Sequence, residues 1–89
     1  MIERPATIVN QEGLHARPAA RIVRLASSFA SEIEIMKDGV GVNAKSIMGV
    51  MMLAAEEGAT ILVKADGADA ADALVALQEL VDGKFGGEP

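Results

Sequence analysis

The stretch from residue 13 to residue 29, GLHARPAARIVRLASSF, constrains the fold most strongly because it predicts where a helix begins. Its apolar residues follow the spacing of one helical face: Ile22, Leu25, Ala26 and Phe29. Pro18 fits only the first turn of a helix, where the N–H that proline lacks would have no intrahelical partner. We therefore expect a helix that begins at His15 or Ala16 and ends near Phe29.

The start of this helix carries the chain's only histidine, at a position where Ser, Thr, Asp or Asn usually caps the backbone. An uncapped N-terminus presents N–H donors and the positive end of the helix dipole, which together favour an anion. Arg17 adds a guanidinium that fits a phosphate, and a neutral imidazole can accept a phosphoryl group covalently. His15 is therefore either a phosphoryl acceptor or a loop histidine that caps the helix poorly.

A second face of the same helix carries a stripe of three arginines and a serine: Arg17, Arg21, Arg24 and Ser28. The chain has a net charge of −5, yet residues 13–53 contain five basic and three acidic side chains. Residues 54–89 contain eight acidic and two basic side chains. A locally basic segment on an acidic protein predicts an acidic protein partner rather than nucleic acid. A solvated helix surface is the alternative explanation of the stripe.

Length and composition limit the classes of protein that remain. A chain of 89 residues with 51% apolar residues is expected to form one domain over residues 1–89. With no cysteine and one histidine, we expect no disulfide, no Cys/His metal site and no cofactor. The N-terminus lacks a secretory pattern, and no apolar run reaches about 18 residues. We therefore expect a cytoplasmic protein that does not insert into membranes.

Periodicity and turn residues predict an α+β fold with the element order β-α-β-β-α-β-α. The predicted strands cover residues 2–9, 32–37, 40–43 and 60–66. The second and third helices are expected from Ser46 to about Ala54 and from Asp69 to Gly83. Pro5 predicts an edge strand, the apolar residues 61–63 predict a central one, and residues 84–89 are expected to be loose.

Two motifs resemble those of one known family. Residues 13–19, GLHARPA, are similar to the active-site signature of the HPr family, the phosphocarriers of the bacterial phosphoenolpyruvate-dependent phosphotransferase system. Residues 43–51, NAKSIMGVM, resemble the serine-site motif of that family at the expected distance downstream. The resemblance implies an open-faced β-sandwich, in which three helices cover one face of a four-stranded antiparallel sheet of order 1-4-2-3.

The resemblance also implies a function and its partners. His15 would accept a phosphoryl group from phospho-Enzyme I and pass it to enzyme IIA domains in sugar uptake or its regulation, and Arg17 would stabilise the phosphate. Such a protein is a carrier rather than an enzyme, and we expect a monomer. Ser46 would be phosphorylated by an HPr kinase/phosphorylase in some bacterial lineages, although a serine at a helix start is explained equally well as a cap.

The expected docking surface for these partners combines the first helix with the short second helix: Ala20, Arg21, Arg24, Lys45, Ile47, Met48 and Met51. Apolar side chains rimmed by basic ones are typical of a transient interface. Packing into the core is the other explanation of the methionines.

Three other functions are compatible with parts of the chain. A nitrogen-related regulatory phosphocarrier would share the same motifs. A small acyl-phosphate hydrolase would use Arg17 and Asn43, but the glycine-rich cradle of such a site is missing. A regulatory module of the same fold that carries no phosphate would lack a histidine at position 15.

Overall fold

The computed structural model describes residues 1–87 and contains four strands and four helical segments. The strands are β1 (Ile2–Thr7), β2 (Glu32–Lys37), β3 (Val40–Asn43) and β4 (Thr60–Asp66). The helical segments are α1 (Ala16–Ser27), α2 (Ile47–Met52), α3 (Ala70–Asp82) and α4 (Lys84–Gly87). The element order matches the predicted one up to α3, and α4 is an addition.

The strands form one antiparallel sheet in the spatial order β1-β4-β2-β3. Pro5 pairs with Leu62 on the edge strand β1, and the strand continues on both sides of it. An edge position tolerates proline because only one side of the strand is paired within the sheet. The prediction of an edge strand at Pro5 and of a central strand at residues 60–66 is confirmed.

One face of the sheet and the helices enclose a single apolar core within the described residues. Side chains alternate along β4, so that Ile61, Val63 and Ala65 point inward. The helix α3 buries five side chains on its core face: Ala70, Ala73, Leu74, Leu77 and Val81. No helix within residues 1–87 is long and apolar enough to cross a membrane.

The sequence prediction of a loose tail is wrong for residues 84–87, and residues 88 and 89 lie outside the described part of the chain. Phe85 has an exposed fraction of 0%, which makes it one of the most deeply buried side chains. Lys84 and Phe85 both have φ of 55°, so α4 is a left-handed turn that follows α3. Burial of the large aromatic side chain of Phe85 fixes this turn. The sequence did not predict the turn, because a single phenylalanine among polar residues and glycines forms no periodic pattern.

A carboxylate joins the start of α3 to the segment before β2. The Asp69 carboxylate accepts hydrogen bonds from the backbone N–H groups of Ala30 (2.8 Å) and Ser31 (2.9 Å) and from the hydroxyl of Ser31. The Ser31 hydroxyl and then the Ala30 amide hold the pKa of Asp69 below its ordinary value of 3.8. Asp69 is the N-cap residue of α3, but its side chain makes no capping hydrogen bond and instead forms a contact between distant segments.

This contact predicts a loss of stability in acid. Because the pKa of Asp69 is lower in the folded than in the unfolded protein, its stabilising effect is complete above pH 3.8 and disappears as the pH falls through the folded pKa. Asp69→Asn should lower the thermal midpoint at pH 7, and the difference from the wild type should shrink below pH 3.8. Thermal unfolding followed by circular dichroism between pH 7 and pH 2 measures both curves.

The matched control for this prediction is Asp72→Asn, which removes another carboxylate from the first turn of α3. This variant shows what the loss of a first-turn carboxylate costs while the contact of Asp69 with Ala30 and Ser31 is kept. A difference between wild type and Asp69→Asn that is constant across the whole pH range would contradict the role given to the ionised Asp69 carboxylate.

Candidate functional site around His15

The loop that leads into α1 is held by close backbone contacts. The buried Asn10 side chain donates from Nδ2 to the carbonyl oxygen of Gly13 (2.9 Å), and the N–H of Leu14 donates to the carbonyl oxygen of Ala55 (2.9 Å). Gly13 has φ of +69°, and a Cβ atom there would lie only 2.3 Å from that same oxygen. Only glycine lets the loop approach residues 55–56 this closely, and this approach fixes the position of His15.

His15 occupies the N-cap position of α1 with φ of −72° and ψ of −178°. Its carbonyl oxygen accepts the first helical hydrogen bond, from the N–H of Ala19 (2.9 Å). Its exposed side chain makes no capping hydrogen bond, and no acidic residue stands in the first turn. The imidazole therefore does not act as a cap, and it stands in solvent at the positive end of the helix dipole.

A surface depression beside the imidazole brings together two distant segments of the chain, residues 12–16 and residues 51–56. It is lined by Glu12, Leu14, His15, Ala16, Met51, Ala54, Ala55 and Glu56. Met51 was predicted for the docking surface, and the structure places it next to His15. Ala54, with φ of +50°, ends the α2 segment and turns the chain into this depression.

The contributions of Ala55 and Glu56 could not be read from the sequence. Ala55 acts through a backbone carbonyl oxygen, which leaves no mark on residue type, and Glu56 lies 41 residues after His15 along the chain. Charge patterning gave no signal either, because Glu56 belongs to the acidic final part of the chain. The negative charges of Glu12 and Glu56 oppose a bound anion at the depression, whereas the N-terminus of α1 favours one.

The arginine stripe lies in solvent as the helical spacing predicts. Arg17, Arg21 and Arg24 are exposed along α1, and Ala20 beside them is half-buried. Arg17 is the member closest to His15, in the first turn of the helix. Arg24 stands in the last turn, where a positive charge is favourable near the carbonyl end of the dipole.

Ser46 is the N-cap of α2, as expected of a serine at this position. Its hydroxyl oxygen accepts a hydrogen bond from the N–H of Gly49 (3.2 Å). The preceding turn is closed by Asn43, whose side-chain oxygen accepts from the N–H of Lys45 (2.8 Å). The ammonium group of the half-buried Lys45 donates to the carbonyl oxygen of Phe29 (2.9 Å), so Lys45 also joins α2 to the end of α1.

The apolar side chains of α2 divide between core and solvent. Val50 and Leu53 are buried, whereas Ile47, Met48 and Met51 have exposed fractions of 40%, 69% and 39%. Because α2 packs against α1, these three side chains lie on the same part of the molecule as the arginine stripe. The core explanation of these methionines is therefore wrong, because Met48 and Met51 keep a large part of their side chains exposed.

A comparison with known protein families shows to which family this chain belongs. The family model described as the PTS HPr component phosphorylation site matches residues 2–82. The chain belongs to the HPr family. The phosphocarrier protein HPr of Cupriavidus necator is 46% identical over 86 residues, which cover 97% of each chain.

Solved HPr structures confirm the predicted architecture. The crystal structure of HPr-C-His from Thermoanaerobacter tengcongensis is 47% identical, covers 100% of both chains and superposes with a TM-score of 0.95. An HPr dimer from the same bacterium, also 47% identical, covers 96% of this chain and 98% of its own with a TM-score of 0.77. Because both solved forms resemble this chain, the monomer stays a prediction.

Proposed function

We propose that this protein is a cytoplasmic phosphocarrier that accepts a phosphoryl group on His15 from phospho-Enzyme I and passes it to enzyme IIA domains. The family membership supports the general role. The assignment of His15 rests on one observation: its imidazole is exposed at the N-terminus of α1 and makes no capping hydrogen bond. Sugar uptake and its regulation are the processes that such a carrier serves.

The geometry supports a simple exchange of bonds. A lone pair on an imidazole nitrogen attacks phosphorus, a nitrogen–phosphorus bond forms, and the bond between phosphorus and the donor breaks with its electron pair going to the donor. The first-turn N–H groups of α1 and the Arg17 guanidinium stabilise the charge on the phosphoryl oxygens. The reverse exchange with an enzyme IIA domain regenerates the free imidazole, so the protein acts as a carrier that forms a phosphohistidine intermediate rather than as an enzyme.

The wild-type protein tests this proposal directly. Incubated with phosphoenolpyruvate and a cognate Enzyme I, it should gain one phosphoryl group that is labile in acid and stable in base. This lability distinguishes phosphohistidine from a serine ester, because protonation of the nitrogen weakens the nitrogen–phosphorus bond. A label that survives acid would contradict the proposal.

We infer that both partners dock on the surface formed by α1 and α2. The docking residues would be Ala20, Arg21, Arg24, Lys45, Ile47, Met48 and Met51. The exposed apolar cluster supplies area that can be buried, and the arginines supply long-range attraction to an acidic partner. Methionine side chains adapt to different surfaces, which suits a carrier that must bind a donor and several acceptors in turn.

Ser46 is the proposed regulatory site, phosphorylated by an HPr kinase/phosphorylase where the organism has one. A phosphate there would add nearly two negative charges beside the exposed Ile47 and Met48. These charges would repel the acidic groups that we expect partners to present to Arg21 and Arg24. Phosphorylation should therefore weaken docking without disturbing the fold.

Ser46→Asp should imitate this effect. The carboxylate keeps an acceptor for the N–H of Gly49, so the thermal midpoint should stay equal to or above that of the wild type. Loss of ~1–2 kcal/mol of docking free energy should raise the KM of Enzyme I for the protein about 5- to 30-fold. Steady-state phosphorylation kinetics with kcat and KM separated measure the effect, which should fall on KM.

Two further variants separate charge from shape at this position. Ser46→Asn keeps a capping oxygen without a charge and should transfer phosphate as fast as the wild type. Ser46→Ala removes the cap, which should cost about 0.5–2 kcal/mol of stability while leaving transfer normal. If Ser46→Asp accepts phosphate as fast as Ser46→Asn, the serine is only a cap.

A further inference from the structure

The depression beside His15 carries two carboxylates from two different loops. Glu12 stands in the loop before α1 and Glu56 in the segment after α2, and both side chains are exposed. The two loops are in close contact, because a Cβ atom placed on Gly13 would lie 2.9 Å from the Cα atom of Glu56. The fold therefore brings two negative charges to the only imidazole of the chain.

Backbone hydrogen bonds hold both loops. The N–H of Gly13 donates to the carbonyl oxygen of Asn10 (3.3 Å), and the carbonyl oxygen of Glu56 accepts from the N–H of Ala59 (2.9 Å). The depression has a volume of about 510 Å³, which corresponds to a width of about 8 Å. This width is below the Debye length of about 10 Å at 0.1 M salt, so solvent ions screen the charges around the depression only in part.

We propose that Glu12 and Glu56 raise the phosphoryl-transfer potential of phosphorylated His15. A phosphoryl group brings nearly two negative charges to the imidazole. Repulsion by the two carboxylates raises the free energy of the phosphorylated protein above that of the free protein. The carrier therefore gives its phosphoryl group up more readily. The proposal rests on the proposed function, because it concerns the phosphoryl group that His15 is proposed to carry.

This role differs from docking in what it changes. The equilibrium constant of phosphoryl exchange compares free proteins before and after transfer, so it does not depend on how tightly the two partners bind each other. A docking residue changes the forward and reverse rates by the same factor and leaves that constant unaltered. Repulsion at the depression makes acceptance from Enzyme I less favourable and donation to an enzyme IIA domain more favourable by one common factor.

The experiment compares Glu12→Gln, Glu56→Gln and the double variant with Glu57→Gln. Glu57 is exposed and adjacent to Glu56 but does not line the depression. Each variant is mixed with purified phospho-Enzyme I at pH 8 and 0.1 M salt, and mass spectrometry of the intact proteins counts phosphoryl groups at equilibrium. Each substitution at the depression should shift the constant about twofold towards the phosphorylated protein, and the double variant about fourfold. Glu57→Gln should leave it close to the wild-type value.

A second measurement does not depend on Enzyme I. Phosphoramidate phosphorylates an imidazole directly: the ring nitrogen forms a bond to phosphorus, the nitrogen–phosphorus bond of phosphoramidate breaks, and ammonia leaves. The double variant should react about two- to fourfold faster than the wild type, and Glu57→Gln as fast as the wild type. If the wild-type protein accepts nothing from phospho-Enzyme I, the proposed function is wrong, whereas these rates still decide whether the two carboxylates oppose phosphorylation.

Three results would overturn the role of the two carboxylates. The first is an equilibrium constant, or a phosphoramidate rate, that is the same in the double variant and the wild type. The second is a shift in Glu57→Gln as large as that in Glu56→Gln. The third is a shift that persists undiminished at 1 M salt, where the Debye length falls to about 3 Å and repulsion between exposed charges is screened.

Discussion

His15→Ala should gain no phosphoryl group from phosphoenolpyruvate and Enzyme I under conditions that label the wild-type protein fully. The substitution removes the only imidazole of the chain, so no other residue can form the acid-labile nitrogen–phosphorus bond of a phosphohistidine. Because the side chain is exposed and makes no capping hydrogen bond, the free energy of unfolding should change by no more than about 0.5 kcal/mol. Mass spectrometry of the intact protein counts the phosphoryl groups, and thermal unfolding measures stability.

His15→Asn provides a control in which stability and activity move in opposite directions. The side-chain oxygen of an asparagine at the N-cap should accept the backbone hydrogen bond that His15 does not accept, and so should raise stability by about 0.5–2 kcal/mol. It should nevertheless accept no phosphoryl group. A variant at position 15 that still carried an acid-labile phosphoryl group would remove His15 from the reaction.

Local sequence rules predicted most of the architecture because each element has its own signal. The apolar run in β4, the helical spacing in α1 and the turn residues Asp38 and Gly39 depend only on neighbours along the chain. Asp38 and Gly39 have φ of 52° and 81°, and a two-residue hairpin turn of type I′ requires a positive φ at both positions. The ends of elements were less accurate, and α1 ends at Ser27 instead of Phe29 because its last bonds tighten, with the N–H of Phe29 bound to the carbonyl oxygen of Ala26.

The features that the sequence did not predict depend on contacts between distant residues. Asp69 binds the segment at Ser31, and Phe85 is buried in the core instead of belonging to a loose tail. Neither contact produces a periodic pattern. At the candidate site, the helical spacing predicted that His15 and Arg17 lie in the first turn of α1. Glu56 lines the depression beside His15 only because the fold brings it there, and the sequence did not indicate this.

Arg17→Glu should slow phosphoryl transfer from Enzyme I about 10²- to 10³-fold, the effect of losing one well-placed donor to a developing oxyanion. The substitution also places a carboxylate beside the phosphoryl group, where like charges oppose transfer. Any loss of stability should be small beside the loss of activity, because Arg17 is exposed in the first turn of α1, where solvent screens its own interactions. A glutamate there complements the helix dipole and should add about 0.3–1 kcal/mol. Rapid-mixing kinetics of transfer, with thermal unfolding of the same sample, measure both quantities.

Arg24→Glu is the matched control, since it makes the same change of charge seven residues further along the same stripe. A rise of 1.5 Å per residue puts the two positions about 10 Å apart along α1, roughly one Debye length at 0.1 M salt. Arg24 can therefore act on docking but not on the phosphoryl oxygens. Its variant should raise KM in a way that added salt weakens, whereas Arg17→Glu should lower kcat at every salt concentration. Equal effects of the two substitutions on kcat and KM would show that Arg17 contributes only to the general charge of the surface.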